Sequence, residues 1–268
     1  MTNVRMVVEY NGSFFHGWQS QPNLETVYSE LRRALNIVLK DDIKNIIASG
    51  RTDAGVHARA QVVNFHVDKL EMDLQTLSYA ISSILRYKLS VKYIDIAPDD
   101  FHATRDSIKK RYSYHILNRP NPPCIEKGLV WHVAKKLDIT LMQNQAKKLI
   151  GVHDFSSFRA SGCTARSPVK EIFDISITKE NAFGNEPENN PKNNPKNNNE
   201  KIVISITGSG FLKQMVRNIV GTLVEIGKGN GKDILEILEK KDRTFAGPTA
   251  PAYGLFLDYV EYYKFLVY

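Results

Sequence analysis

The stretch that begins at Phe211 limits the possible folds more than any other. Leu212, Met215, Val216, Ile219, Val220, Leu223 and Val224 follow a 3.6-residue period closely enough to predict a helix that is apolar over most of its surface. Such a helix must be largely buried, so the remaining chain has to supply layers that cover it.

Those layers are visible as alternating strand and helix patterns. Val4–Tyr10 is mostly β-branched or aromatic and reads as a strand, which Asn11 and Gly12 end in a turn. Between Thr26 and Lys40, Val27, Leu31, Ala34, Leu35 and Val38 form one helical stripe. A strand pattern over Gln61–Val67, a helix over Met72–Leu85 and a strand over Val91–Ala97 complete a first α+β half. The second half opens with a strand at Arg111–Leu117. A helix from about Leu141 follows, with Thr140 and Gln143 placed to cap it and Gly151 to end it. Strands at Val169–Thr178 and Ile202–Thr207, the helix from Phe211, a short helix over Asp233–Lys240 and a strand over Gly254–Glu261 finish the chain. Both halves loosely fit a split βαβ arrangement, although no residue-level repeat relates them. The expectation is an N-terminal subdomain over 1–104 and a C-terminal one over 105–268. Asn181–Glu200, rich in Asn, Pro and Lys, reads as a mobile hairpin insertion within the latter.

Composition narrows the partners. The formal net charge is +7 with a pI of about 9.2, which favours a polyanion without naming one. The two cysteines, Cys124 and Cys163, lie far apart and form no C-x-x-C pair, so neither a disulfide framework nor a zinc ribbon is indicated. No apolar run approaches the roughly 18 residues of a membrane span, and Arg5 and Glu9 interrupt the first apolar stretch. A cytoplasmic protein is expected.

Chemistry is concentrated in Gly50-Arg51-Thr52-Asp53-Ala54-Gly55-Val56-His57-Ala58. Glycines permit tight turns around an arginine and a carboxylate two residues apart. A guanidinium beside an aspartate favours its ionised form, and an ionised carboxylate can act as a nucleophile. Taken alone, the same pair reads more readily as a structural ion pair closing a turn than as a catalytic one. Tyr112, in a strand pattern beside Lys109, Lys110 and Arg111, reads as a core-facing aromatic or a ring able to stack on a base. Arg217, on the flank of the apolar helix, is a boundary residue or a charge with a buried partner. Phe14, Phe15, His16 and Trp18 mix rings with polar groups in a loop, fit either for burial or for RNA contact. The seven histidines form no H-E-x-x-H or Cys/His cluster, so His16, His57 and His102 read as hydrogen-bonding loop residues, and no metal or cofactor is expected.

The run GRTDAGVHA closely resembles the signature of the TruA family of tRNA pseudouridine synthases. The resemblance continues in the same order through VEYNGSFFHGWQSQP, PDDFHA, KRYSYHILN, GVHDFSSFRA and FLKQMVRNIVGTL. It implies an α+β fold of two similar subdomains sharing a mainly antiparallel sheet, with the active site in a basic cleft between them. It also implies an isomerase that converts uridines at positions 38 to 40 of the tRNA anticodon stem-loop, acting as a homodimer. By resemblance Asp53 is the catalytic aspartate and Arg51 helps extrude the target nucleotide. Tyr112 lies against the uracil, and Arg217 pairs with the carboxylate. General chemistry agrees, because breaking the C1′–N1 bond of a stacked uridine first requires flipping it out.

Two features depart from the family pattern. Thr104 follows Phe-His-Ala where many members have an arginine, with Arg105 one place later, and the Asn-rich insertion has no counterpart. Three rival readings stay open: a related synthase with other RNA targets, a non-catalytic RNA-binding or RNA-folding protein, and a metal-dependent nuclease or phosphatase. The last would need several convergent carboxylates where only Asp53 stands out.

Overall fold

The computed structural model describes residues 1–181, 200–263 and 265–266, and nearly all of the segment expected to form an insertion lies outside them. In chain order the elements are β1 (Thr2–Tyr10), α1 (Val27–Leu39), β2 (Ile46–Ala48), β3 (His57–Val67), α2 (Leu74–Leu85), β4 (Leu89–Ile96), β5 (Ser107–Asn118), β6 (Trp131–Val133), α3 (Ile139–Ala146), β7 (Gly151–Asp154), β8 (Val169–Asn181), β9 (Glu200–Gly208), α4 (Met215–Gly227), α5 (Ile234–Lys240), β10 (Leu255–Tyr262) and β11 (Phe265–Leu266). The fold is mixed α+β, as the alternating pattern predicts, on mainly antiparallel sheet, as the resemblance implies. The chain forms two compact units, Met1–Arg111 with Phe256–Tyr268, and Tyr112–Leu255.

In the first unit the strand order is β4-β1-β3-β10, with β2 beside β3. β1 runs antiparallel to both neighbours, and Tyr10 stands opposite Ala58 on one side and Leu89 on the other. β10 lies parallel to β3, pairing Phe256 with His57. Leu89 opens β4, Tyr10 closes β1 and His57 opens β3, so three connections meet one end of this sheet. They are the Arg86–Lys88 turn, the loop after Tyr10 and the loop before His57. α1 packs against α2, and α2 against β4. The predicted stripe of α1 buries Val27, Leu31, Ala34 and Leu35, and Thr26 with Ser29 forms a capping box at its start. α2 begins at Asp73, which accepts from the Thr76 N–H, and buries Leu77, Ile81 and Leu85.

The second unit has the order β5-β9-β8-β7, with β6 beside β5. Ile172, Ile175 and Ile177 of β8 and Ile202, Ile204 and Ile206 of β9 are buried. α3 packs on α4 and on β8. The period from Phe211 does mark a buried helix, but it begins later. Gln214 adopts φ 60°, and α4 starts at Met215. Residues ahead of it are held away from helical geometry, because the Lys213 N–H points to Cys163 Sγ and the Lys213 carbonyl accepts from Ala160. α3 also differs from expectation. It is capped by Asp138, whose carboxylate accepts from the Leu141 N–H, so Thr140 lies inside the helix. Gly151 does not end that helix but opens β7 at φ 107°.

At the start of α5, Asp233 accepts from the Leu235 N–H and pairs with Lys148. The Lys148 ammonium, then Gln145 and the helix amide, lower its pKa from 3.8 to about 2. A lowered folded-state pKa contributes stability above the unfolded value of 3.8 that is lost as pH falls toward about 2. Because this pair is solvent-exposed, the effect is expected to stay below about 1 kcal/mol. Asp233→Asn, which keeps a capping side chain, should flatten the decline of urea-unfolding stability across that window. An unchanged slope would show that Lys148 contributes nothing.

Candidate active site

The loop that joins β2 to β3 carries Arg51 and Asp53. Its base is tied to the sheet: Ser49 N–H donates to the Val62 carbonyl at 2.8 Å, Ser49 Oγ donates to Gln61 Oε1 at 2.6 Å, and Gln61 Nε2 donates to the Gly50 carbonyl at 2.8 Å. Thr52 is buried and its hydroxyl bonds Tyr10 Oη at 2.8 Å. Burial raises the Tyr10 pKa to about 12 against the opposing Thr52 and Gln61 bonds, so this phenol stays protonated near neutral pH. Val56 N–H closes a turn onto the Asp53 carbonyl at 3.1 Å, and Gly55 takes φ 79°. Arg51 is exposed and Asp53 half-buried, so the loop presents its charged residues while burying Thr52 and Val56.

The loop after Tyr10 presses directly against this one. A Cβ on Gly12 would stand 2.2 Å from the Val56 carbonyl oxygen, and one on Gly17 would stand 2.9 Å from that of Thr52. Only glycine allows both approaches, and Gly17 also needs φ 89°. Hydrogen bonds join the same surfaces: Gly12 N–H donates to His57 Nδ1 at 3.0 Å, and Trp18 N–H to the Thr52 carbonyl at 3.0 Å. The His57 ring stacks on Phe256 at 4.6 Å. His57 is therefore a hydrogen-bonding residue, as expected, but one buried at the start of β3 and not in a loop. Of the four residues in the aromatic loop, Phe15 and Trp18 are core, whereas Phe14 and His16 are exposed.

Tyr112 and Arg217 belong to the second unit. Tyr112 is buried in β5 and packs edge-on against Phe211 at 5.2 Å. Arg217 lies in the first turn of α4, where its Nε donates to the Ala250 carbonyl at 2.8 Å while its own carbonyl accepts from the Ala250 N–H at 3.1 Å. Next to it, the fully buried Asn218 donates to the Phe158 carbonyl and accepts from Thr249 Oγ1 at 2.6 Å and Arg243 at 3.1 Å. A Cβ on Gly221 would fall 1.7 Å from the Pro248 carbonyl oxygen, and Thr222 Oγ1 accepts from the Gly247 N–H. In this way Arg217-Asn218-x-x-Gly221-Thr222 clasps the 247–250 segment, and the clasp orients the guanidinium. Tyr114, one strand step beyond Tyr112, donates to the Pro251 carbonyl at 2.7 Å.

Arg51 and Asp53 thus share one loop, while Tyr112 packs on Phe211 ahead of α4 and Arg217 lies in the first turn of that helix, bonded to Ala250. Gly12, Gly17, Tyr10 and Asn218 support these residues and were not singled out from sequence. The basic patch is partly neutralised: Lys109 pairs with Glu261 and Arg111 with Asp258, while Lys110 is buried with its Cε close to Gly50. The Thr104 hydroxyl donates to the Ala48 carbonyl at 2.5 Å, just ahead of the Asp53 loop. Arg105 is exposed and held by Asp106 and the Asp100 carbonyl. Among the described residues no group of three or more His, Cys, Asp or Glu could hold a metal ion. A hollow of about 470 Å³ on α1, lined in part by Tyr28, Arg32 and Arg33, includes none of the expected site residues.

Because backbone faces backbone at Gly12, neither partner can yield by a rotamer change. Gly12→Ala should lower stability by about 1–3 kcal/mol. Gly210→Ala, with nothing near its added methyl, should stay within about 0.5 kcal/mol of the native protein. Urea titration of both checks this, and equal stabilities would contradict the close approach.

The chain matches the family model described as tRNA pseudouridine synthase over residues 6–104 and 145–263. It is 39% identical over 256 residues to tRNA pseudouridine synthase A of Buchnera aphidicola subsp. Schizaphis graminum (strain Sg), covering 95% of this chain and 90% of that protein. It is 39% identical over 264 residues to the protein of the same name from Thermoanaerobacter sp. (strain X514), covering 98% of this chain and all of the relative. The corresponding figures for the Acetivibrio thermocellus protein are 38% over 265 residues, 98% and 100%. With the motif, the clamped aspartate loop and these matches in agreement, the chain belongs to the tRNA pseudouridine synthase family.

Proposed function

We propose that this protein isomerises uridine to pseudouridine at positions 38 to 40 of the tRNA anticodon stem-loop, with Asp53 as nucleophile. The observation that best supports this is the placement of Asp53, half-buried on a loop whose backbone is held by the sheet below and two glycines beside it, within a chain of this family. A nucleophile fixed in this way needs little reorganisation when its substrate arrives.

The target uridine must leave its stack, and the exposed Arg51 beside Asp53 is suited to fill the gap and bind phosphate. Asp53 then attacks either C6 of the uracil or C1′ of the ribose. The C1′–N1 bond breaks, the base turns, C5 bonds to C1′, and the bond to the Asp53 oxygen breaks, which restores the free carboxylate. Loss of the C5 proton, to Tyr112 or to water, and uptake of one proton at N1 complete the isomerisation with no net gain or loss of electrons or protons. The Tyr112 ring, packed edge-on against Phe211, would hold the detached uracil, and Arg217 would take the role of the family arginine that pairs with the catalytic carboxylate. We assign the enzyme to the cytoplasm as a homodimer, both by resemblance to the family.

The test is tritium release from transcripts carrying 5-tritiated uridine. The native protein should release tritium, and Asp53→Ala and Asp53→Asn should lose at least roughly 10⁴-fold in rate. Release by both, or by neither, would sink the assignment. A chelator should leave the native rate unchanged, against the nuclease or phosphatase reading. Transcripts with single uridines replaced at 38, 39 and 40 should each lose the matching share of release.

A further inference from the structure

The Arg86–Lys88 turn joins α2 to β4 at the same end of the first unit's sheet as the Asp53 loop. Tyr10 faces Leu89 on one side and Ala58 on the other, which sets the starts of β4 and β3 two strand spacings apart, about 10 Å. The turn is also tied to the loop that clamps Asp53. Asn11 N–H donates to the Lys88 carbonyl at 3.0 Å, and Lys88 Nζ pairs with Glu25 at 2.9 Å.

On this rim stands Tyr87, 97% exposed, more than any other large apolar side chain among the described residues. Arg86 beside it is exposed too. Both residues have positive φ, 31° and 27°, where a connection free to choose would use glycine or asparagine. An aromatic ring in such a place buries nothing and contributes nothing to the core. What it offers is a ring face held out to solvent, with a cation on one side and a half-neutralised lysine on the other.

We propose that the Arg86-Tyr87-Lys88 turn is a stacking platform for the RNA substrate: Tyr87 receives an unpaired base while Arg86 meets a neighbouring phosphate. Every base has a face on which an aromatic ring can stack, and flanking cations suit the backbone on either side. The overall charge of +7 favours a polyanionic partner, and tRNA is the polyanion that the family match points to. The platform would hold a part of the RNA away from the reacting uridine, and so contribute to binding more than to the chemical step. This inference rests on tRNA being the substrate.

Fluorescence anisotropy with a labelled tRNA transcript, paired with tritium release, tests it. Tyr87→Ala should weaken tRNA binding and raise KM by roughly 10-fold, with a far smaller change in kcat, and Tyr87→Trp should restore native affinity. Arg86→Ala should reduce the slope of log affinity against log salt by about 1. Tyr87→Ala binding within twofold of native, or Tyr87→Trp binding as weakly as Tyr87→Ala, would overturn the platform. A native protein that binds tRNA but releases no tritium would instead overturn the proposed reaction, and the anisotropy comparison would still decide the role of Tyr87.

Discussion

Two places where backbone meets backbone, with no room for a side chain between, govern where Asp53 sits. Gly12 against Val56 and Gly17 against Thr52 let one loop serve as the wall of another. Hydrogen bonds from Gly12 to His57 and from Trp18 to Thr52 then fix the register of the two loops. Loops usually move more than the elements they connect. Here the aspartate rides on a loop braced on one side by β3 through Ser49 and Gln61 and on the other by a second loop. The stacked His57 and Phe256 rings anchor the point where that loop enters β3.

The second unit solves a similar problem with a helix. The N-terminal turns of α4 carry Arg217, and the residues after it fix how this part of the helix meets the 247–250 segment. Asn218 uses both ends of a buried amide, Gly221 lets the Pro248 carbonyl touch the helix, and Thr222 accepts from Gly247. The 247–250 segment is thereby fastened at several points, and Arg217 is fastened to it. A buried polar network of this kind holds a unique geometry as long as each partner is present.

Much of this was legible beforehand because hydrophobic period survives in sequence. The stripe of α1, the buried face of α2 and the alternation of β8 and β9 all lie where the pattern predicts. The start of α4 was misplaced because Phe211 and Leu212 keep the apolar period while long-range bonds at Lys213 pull the backbone out of helix. The cap of α3 was misplaced because Thr140 and Asp138 both suit the position, and only the fold selects between them. In the site, the charged residues carried their own signal through the Gly50–Ala58 run. Their supports did not. A glycine that is needed for close approach looks, in sequence, like a glycine that merely turns, and the partner of Tyr10 is 42 residues away.

The β8–β9 ladder has a practical consequence. Its pairs continue without a break from Asp174↔Thr207 to Asn181↔Glu200, so the two chain ends that must be joined are already pinned side by side. The entropy of closing a connection between pinned ends grows only with the logarithm of its length, about 0.6 kcal/mol for each doubling. A peptide epitope or fluorophore-binding sequence spliced between those strands should therefore be tolerated at small thermodynamic expense, making this hairpin a natural handle for immobilising or tracking the enzyme.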